Sequence, residues 1–145
     1  MTDQERMLAE HACMKLQRQY GVFADRGDVE GFTNLFAPDG SVAVPEAPPF
    51  VGHEAIRGSI QALGDLGVTM QHVLTNNVVD VVDADTATGV SYLIVFNSTA
   101  EPDERGSRPV EPPPTVGFYE DRFRRTPDGW RFQSRVLTRV FRRPA

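Results

Sequence analysis

The chain has 145 residues, 40% hydrophobic and 24% charged, which fits one soluble globular domain over 1–145 and not a disordered or fibrous chain. Twenty Asp+Glu against 15 Lys+Arg leave a net charge of −5, which argues against a dedicated nucleic-acid binder, and no apolar run reaches the roughly 20 residues that span a bilayer. The lone cysteine, Cys13, excludes an internal disulfide and a multi-cysteine metal cluster, and with no leader pattern in MTDQERMLAE a cytoplasmic protein is expected.

Thr2 with Glu5 three residues later reads as a capping box that opens a long helix. Ala9, Cys13, Leu16, Tyr20 and Phe23 follow at spacings of four, three, four and three, one apolar helical stripe. Gly27 stops that helix. Asp28 reads as the N-cap of a second, shorter one with Val29, Phe32 and Phe36 facing inward. Pro38-Asp39-Gly40 is a turn, Ser41 to Val44 a short strand, and Pro45 to Gly52, with three prolines, a loop. His53 to Leu63 is a third helix carrying Ile56, Ile60 and Leu63 at helical spacing, capped by Gly64.

From there the period changes to that of strands. Thr69 to Val82, Thr86 to Asn97, Thr115 to Arg125 and Trp130 to Phe141 are four long strands. Asp83-Ala84-Asp85 and Thr126-Pro127-Asp128-Gly129 are the turns between the first and the last pairs. Residues 98–114 hold five of the 11 prolines, including Pro112-Pro113-Pro114, and read as a mobile polyproline-like surface loop, with a functional lid as the alternative. Helices first and strands after, joined by tight turns, predict an α+β fold whose mostly antiparallel, curved sheet wraps the long helix and leaves an internal pocket.

Asp25 sits at the C-terminal end of the first helix, where the helix dipole disfavours a carboxylate. Either it is a solvated turn residue beside Arg26, or something else uses its charge. His72 shares a strand face with Met70, Leu74 and Asn76. By itself such a histidine is most often structural. Tyr20 lies on the apolar stripe, and about five residues from Asp25 means roughly 140° around an ideal helix, so the two need not point the same way. His11 reads as exposed, His53 as the opening of the third helix, and Cys13 as a small buried hydrophobe. From Glu120 onward eight Arg face three acids, a solvated or dimer-facing surface in preference to an acidic-ligand patch. Phe23, Phe36, Phe50, Met70, Leu74, Tyr92 and Phe96 are the expected pocket liners, suited to a hydrophobic ring-containing ligand. Alternation on the last strand sets Arg131, Gln133, Arg135 and Arg139 on one face with Leu137 and Phe141. No Gly-rich phosphate loop or metal-spaced histidine pair is present, so no cofactor and no metal is expected.

The order helix, helix, short strand, helix, four long strands resembles the nuclear transport factor two-like, cone-shaped α+β superfamily, and within it the SnoaL-like branch. The carrying segments are QYGVFADRGDVEGFTNLFAPDG, VGHEAIRGSI, QHVLTNNVVDVVDADTATGVSYLIV and GFYEDRFRRTPDGWRFQSRVLTRVF. The resemblance implies that Asp25 and His72 match the Asp–His pair of scytalone dehydratase, bile acid dehydratases and hexachlorocyclohexane dehydrochlorinase. It also implies that Tyr20 and Arg139 match a pocket Tyr and a pocket Arg of the bile acid dehydratases. Asn97 falls where scytalone dehydratase carries a second histidine, and Asn cannot do acid–base work. A carboxylate bonded to one imidazole nitrogen fixes the tautomer and aims the other, which suits removal of a proton from carbon. The expected activity is thus a cofactor-independent lyase or isomerase. A non-catalytic binding or scaffold module and a polyketide cyclase are the alternatives. A homodimer is also implied by the family.

Overall fold

The structure, a computed structural model, describes residues 1–110 and 114–141. Its first helix, α1 (Asp3–Arg26), opens on the expected capping box: the Glu5 N–H donates to Thr2 Oγ1 at 3.2 Å and the Thr2 N–H to Glu5 Oε2 at 2.7 Å. It closes where Gly27 turns left-handed at φ 65° and returns its N–H to the Ala24 carbonyl. The buried stripe runs through Ala9, Cys13, Leu16, Tyr20 and Ala24, so Phe23 packs only at the edge of the core.

Helix α2 (Val29–Thr33) is capped by the Asp28 carboxylate, which accepts from the Gly31 N–H at 2.8 Å. Phe36 is not part of it. It opens strand β1 (Phe36–Ala43), which runs straight through Pro38-Asp39-Gly40 where a turn was expected. The pairing register of β1 shifts between Phe36 and Ser41, so the Pro and Gly sit in an irregular stretch that needs no complete ladder. A two-residue β2 (Phe50–Val51) leads into α3 (Gly52–Asp65). Gly64 stays helical instead of capping; Leu66 ends the helix and Gly67 takes the left-handed turn at φ 67°.

The long strands are β3 (Thr69–Val81), β4 (Thr86–Ser98), β5 (Thr115–Thr126) and β6 (Gly129–Arg139). They form one six-stranded sheet in the order β2-β1-β6-β5-β4-β3, antiparallel throughout except that β1 runs parallel to β6. The part of the proline loop at 111–113, with Pro112 and Pro113, lies outside the described residues, as do Arg142 and Arg143.

Two bulges bend this sheet around α1. One is at Asn76 in β3, where φ is 53° and the register to β4 shifts between Thr75 and Val78. The other is opposite Arg122 and Phe123 in β6. This second bulge overturns the simple alternation expected for β6. Phe132 and Arg135, three residues apart, are both fully buried on the inner face, and Arg131 no longer shares a side with Arg135.

Beneath α1 the core is aromatic. Tyr20, Phe32, Phe36, Tyr119 and Phe132 pack with ring centroids 4.8–6.4 Å apart. A buried ion pair is embedded in it. Arg135 Nε donates to Asp121 Oδ1 at 2.8 Å, and its Nη2 to Asp121 Oδ2 at 3.1 Å and Ser91 Oγ at 3.0 Å. The Gln17 amide adds a donor to Asp121 Oδ2 at 3.0 Å. Both charged side chains are fully buried, so each depends on the other. Replacing Arg135 by Met strands the Asp121 carboxylate with one neutral donor. Urea denaturation should show a loss of about 3–5 kcal/mol.

Candidate active site

The last turn of α1 lies against the first residues of β3 because residue 21 has no side chain. A Cβ there would stand 3.0 Å from His72 Cβ and 3.2 Å from Leu74 Cδ1. This close approach delivers Asp25 to His72 from one turn further on. The Asp25 carboxylate holds the histidine at two points: Oδ2 accepts the His72 backbone N–H at 2.8 Å and Oδ1 meets ring Nδ1 at 2.5 Å. An ionised carboxylate only accepts, so Nδ1 carries the proton and Nε2 is left as the basic nitrogen. The side chains are 14% and 8% exposed, which keeps bulk water from competing for the contact.

His72 faces a cavity of about 320 Å³ between α1, α3 and the concave side of the sheet. Its walls are mainly apolar, from Ile60, Leu63, Leu93, Val95 and Leu137. That matches the general form of a small-molecule site, apolar with a few convergent polar groups. Among the described lining residues no Asp or Glu occurs.

The structure brings some of the expected residues together and separates others. Tyr20, Phe50, Met70, His72 and Arg139 line the cavity, while Asp25 stands behind His72, away from it. Leu74 lines the shallow hollow on the Asp25 side. Phe36 is buried in the aromatic cluster and Phe23 packs at its edge, neither on the cavity wall. Tyr92 and Phe96 are a correction: at 53% and 38% exposed they point to the outer sheet face, and their neighbours Leu93 and Val95 face inward. A strand's period of two allows one set or the other inside, and both sets are apolar here. Asn97 lies under the 98–110 loop, beside Phe96 and Arg108, and not in the cavity. Arg139 sits at the mouth and donates to Glu46 at 2.9 Å.

Two further residues escaped the sequence reading. Tyr119 lines the cavity next to Tyr20, their ring centroids 5.3 Å apart. Arg135 lies beneath both, its guanidinium carbon 3.9 Å from the Tyr119 ring centre and 4.4 Å from that of Tyr20. No local signal pointed to them: the register that the Pro-Asp-Gly turn sets would put Glu120 across from Arg135, and the bulge in β6 moves Asp121 there instead. Gly21 inside an otherwise regular helix was a usable signal for the close approach of α1 to β3.

The family description of a SnoaL-like domain matches residues 5–136, and the chain belongs to that family. No curated protein matches the sequence. Among solved structures the chain is similar to a candidate scytalone dehydratase from Novosphingobium aromaticivorans, at 18% identity and TM-score 0.82, covering 97% of this chain and 89% of that one. It is similar to a candidate dehydratase of the NTF2-like family from Streptomyces avermitilis, at 22% identity and TM-score 0.78, covering 93% and 99%. An NTF2-like protein with a cystatin-like fold from Novosphingobium aromaticivorans is 29% identical with TM-score 0.74, covering 92% and 83%. The first two likenesses establish the fold.

Burial pushes the Tyr20 and Tyr119 phenols above their ordinary pKa of 10.0, against the pull of the Arg135 cation. Burial also pushes the Cys13 thiol, ordinarily near 9.0, up to about 12. All three acids are raised on folding, so their contribution to stability is complete below the unfolded values and is lost as pH climbs towards the folded ones. The urea midpoint should be level up to about pH 8, fall from about pH 9 as unfolded Cys13 ionises, and fall faster above pH 10. Tyr119→Phe should flatten the upper part of that decline.

Proposed function

We propose that the protein is a cofactor-independent lyase or isomerase that removes a proton from carbon in a hydrophobic, ring-containing small molecule. The observation that carries this reading is the Asp25–His72 pair, largely buried, with the imidazole lining an apolar cavity. The likeness to candidate dehydratases of the same fold supports the same reaction class.

In this mechanism His72 Nε2 takes a proton from the carbon next to a carbonyl, and the C–H electron pair moves into the carbonyl to give an enolate. Asp25 stabilises the imidazolium that forms and keeps the ring aimed. The enolate pair then returns to form a C=C bond. In a dehydratase it expels a β-hydroxyl, which leaves as water with the proton from Nε2. In an isomerase the same proton returns to a different carbon. Either way the residues end in their starting state, so nothing need be regenerated. The apolar walls matter because they keep water from the enolate and strengthen each hydrogen bond made to it. Arg139, at the mouth, holds a polar group of the ligand.

We propose further that the protein works as a homodimer through the outer sheet face, where Val78, Val90, Tyr92, Ile94, Phe96 and Val136 are exposed together.

Proton removal is testable before the natural substrate is known. A panel of bicyclic ketones, beginning with 2-tetralone, is incubated with the protein in D2O and deuterium at the α-carbon is followed by NMR. Protein-dependent exchange is expected, abolished in His72→Ala and slowed about 10²–10⁴-fold in Asp25→Asn with the fold unchanged. Full exchange in His72→Ala removes the pair from the mechanism. Ketones that bind without exchange favour a binding module.

A further inference from the structure

Among its described lining residues the cavity has one fixed charge, and it is a cation. Arg139 is the last residue of β6, and its side chain stands between the cavity and an outer hollow, lining both together with Pro45 and Leu137. Its partner is not in the cavity. Arg139 Nη1 donates to Glu46 Oε1 at 2.9 Å, and Glu46 lines only the outer hollow. The two ends of this pair differ in their surroundings: the Arg139 side chain is 32% exposed and that of Glu46 78%. One hydrogen bond joins them, where a planar guanidinium and a carboxylate can make two.

Glu46 reaches the arginine from a costly backbone. Its φ is 68°, in the left-handed region that favours Gly or Asn, and it follows Pro45 in the turn between β1 and β2. Both ends of that segment are tied into the sheet, Val42 opposite Phe50 and Ser41 opposite Val51, and Val44, Pro45 and Phe50 form part of the cavity wall. A strained residue at such a place points to a use for its side chain. Stability is not that use, because a solvated ion pair contributes little. What the carboxylate does is occupy the one fixed cation that an apolar cavity presents. An anion carried by a ligand meets the same guanidinium from the cavity side, where less water competes for it. Glu46, already mostly in water, is then released at little cost. The group now on the guanidinium also indicates which anion suits it: a carboxylate, planar like the guanidinium itself.

We propose that Glu46 is a built-in competitor at the mouth of the cavity: it occupies Arg139 until a carboxylate on the ring-containing ligand takes its place, and so sets the affinity for anionic ligands. The ligand class narrows to ring compounds that bear a carboxylate on the end facing the mouth. Glu46 is a specificity-determining residue and takes no part in proton transfer. The inference rests on the reading of the cavity as a ligand site with Arg139 touching the ligand, and is independent of what His72 does there.

The test compares 2-naphthoate with 2-naphthamide, a charged and a neutral planar group on the same ring system, by isothermal titration calorimetry on the full chain at neutral pH and low salt. Glu46→Gln should tighten 2-naphthoate about fivefold, the worth of an exposed ion pair, and leave 2-naphthamide within about twofold. Arg139→Gln should weaken 2-naphthoate at least about tenfold, and in the double variant the effect of Glu46→Gln should vanish. Glu46→Gly, which also suits the left-handed backbone, should tighten 2-naphthoate too, with the thermal midpoint level or higher. A midpoint lowered in both Glu46 variants, with the two ligands weakened alike, marks a structural residue and overturns the inference. An unchanged or weaker affinity for 2-naphthoate in Glu46→Gln also overturns it, and leaves the cavity as a ligand site where 2-naphthamide binds. Failure of both ligands to bind overturns the inference and the ligand cavity together. Deuterium exchange reports on Asp25 and His72 separately, so none of these outcomes is confused with failure of the proton-transfer reading.

Discussion

One carboxylate joins the helix to the sheet at the place where chemistry is proposed. Asp25 accepts two hydrogen bonds from a single residue of β3, one from the His72 backbone and one from its ring. The backbone bond fixes where the strand begins relative to α1, and the ring bond fixes how the imidazole is turned. Position and orientation of the imidazole thus come from the same group. The location is unfavourable for a free carboxylate, because the helix dipole places partial negative charge at that end. Two donors from a neighbouring strand offset that repulsion, one of them on a ring that becomes cationic in the proposed reaction.

Asp121 presents the opposite case. It is as buried as its partner and both of its oxygens are taken, by Arg135 and by Gln17. Nothing remains for a ligand. Its effect on the cavity is indirect: it makes a buried guanidinium tolerable, and the guanidinium then lies under the tyrosine floor. Two carboxylates on opposite sides of the same core thereby have separate parts. One holds the histidine that reaches the cavity. The other anchors a cation that sits behind the cavity's donors.

Both arrangements depend on irregular backbone. The bulge in β6 brings Phe132 and Arg135 to the same inner face, which a regular strand would prevent, and the bulge at Asn76 in β3 adds to the curl that wraps the sheet around α1. Without curvature the concave face would close on the helix and leave no hollow. Gly21 contributes from the helix side, since any side chain there would press on His72.

Much of this was legible in the residues themselves. Thr2, Glu5, Gly27 and Asp28 mark the helix ends by local chemistry, and Pro127-Asp128-Gly129 marks the last hairpin. Such signals act over three or four residues and held at these positions, while Pro38-Asp39-Gly40 and Gly64, signals of the same kind, gave way to the sheet and to a longer α3. Asp25 stood out because its charge opposes its helix end. What could not be read was which face of an apolar strand turns inward. On β4 Tyr92 and Phe96 compete with Leu93 and Val95, and hydrophobicity does not rank the two sets. Nor could the bulge opposite Arg122 and Phe123 be read, although it alone decides that Arg135 is core and not surface. The helix caps and the hairpin turn were set by neighbours in the chain, whereas Asp25 and His72, 47 residues apart, meet only through the packing of α1 on β3. The cavity floor was set by contacts between β4, β5, β6 and α1, residues far apart in sequence whose facing directions depend on a one-residue shift that only the paired sheet imposes.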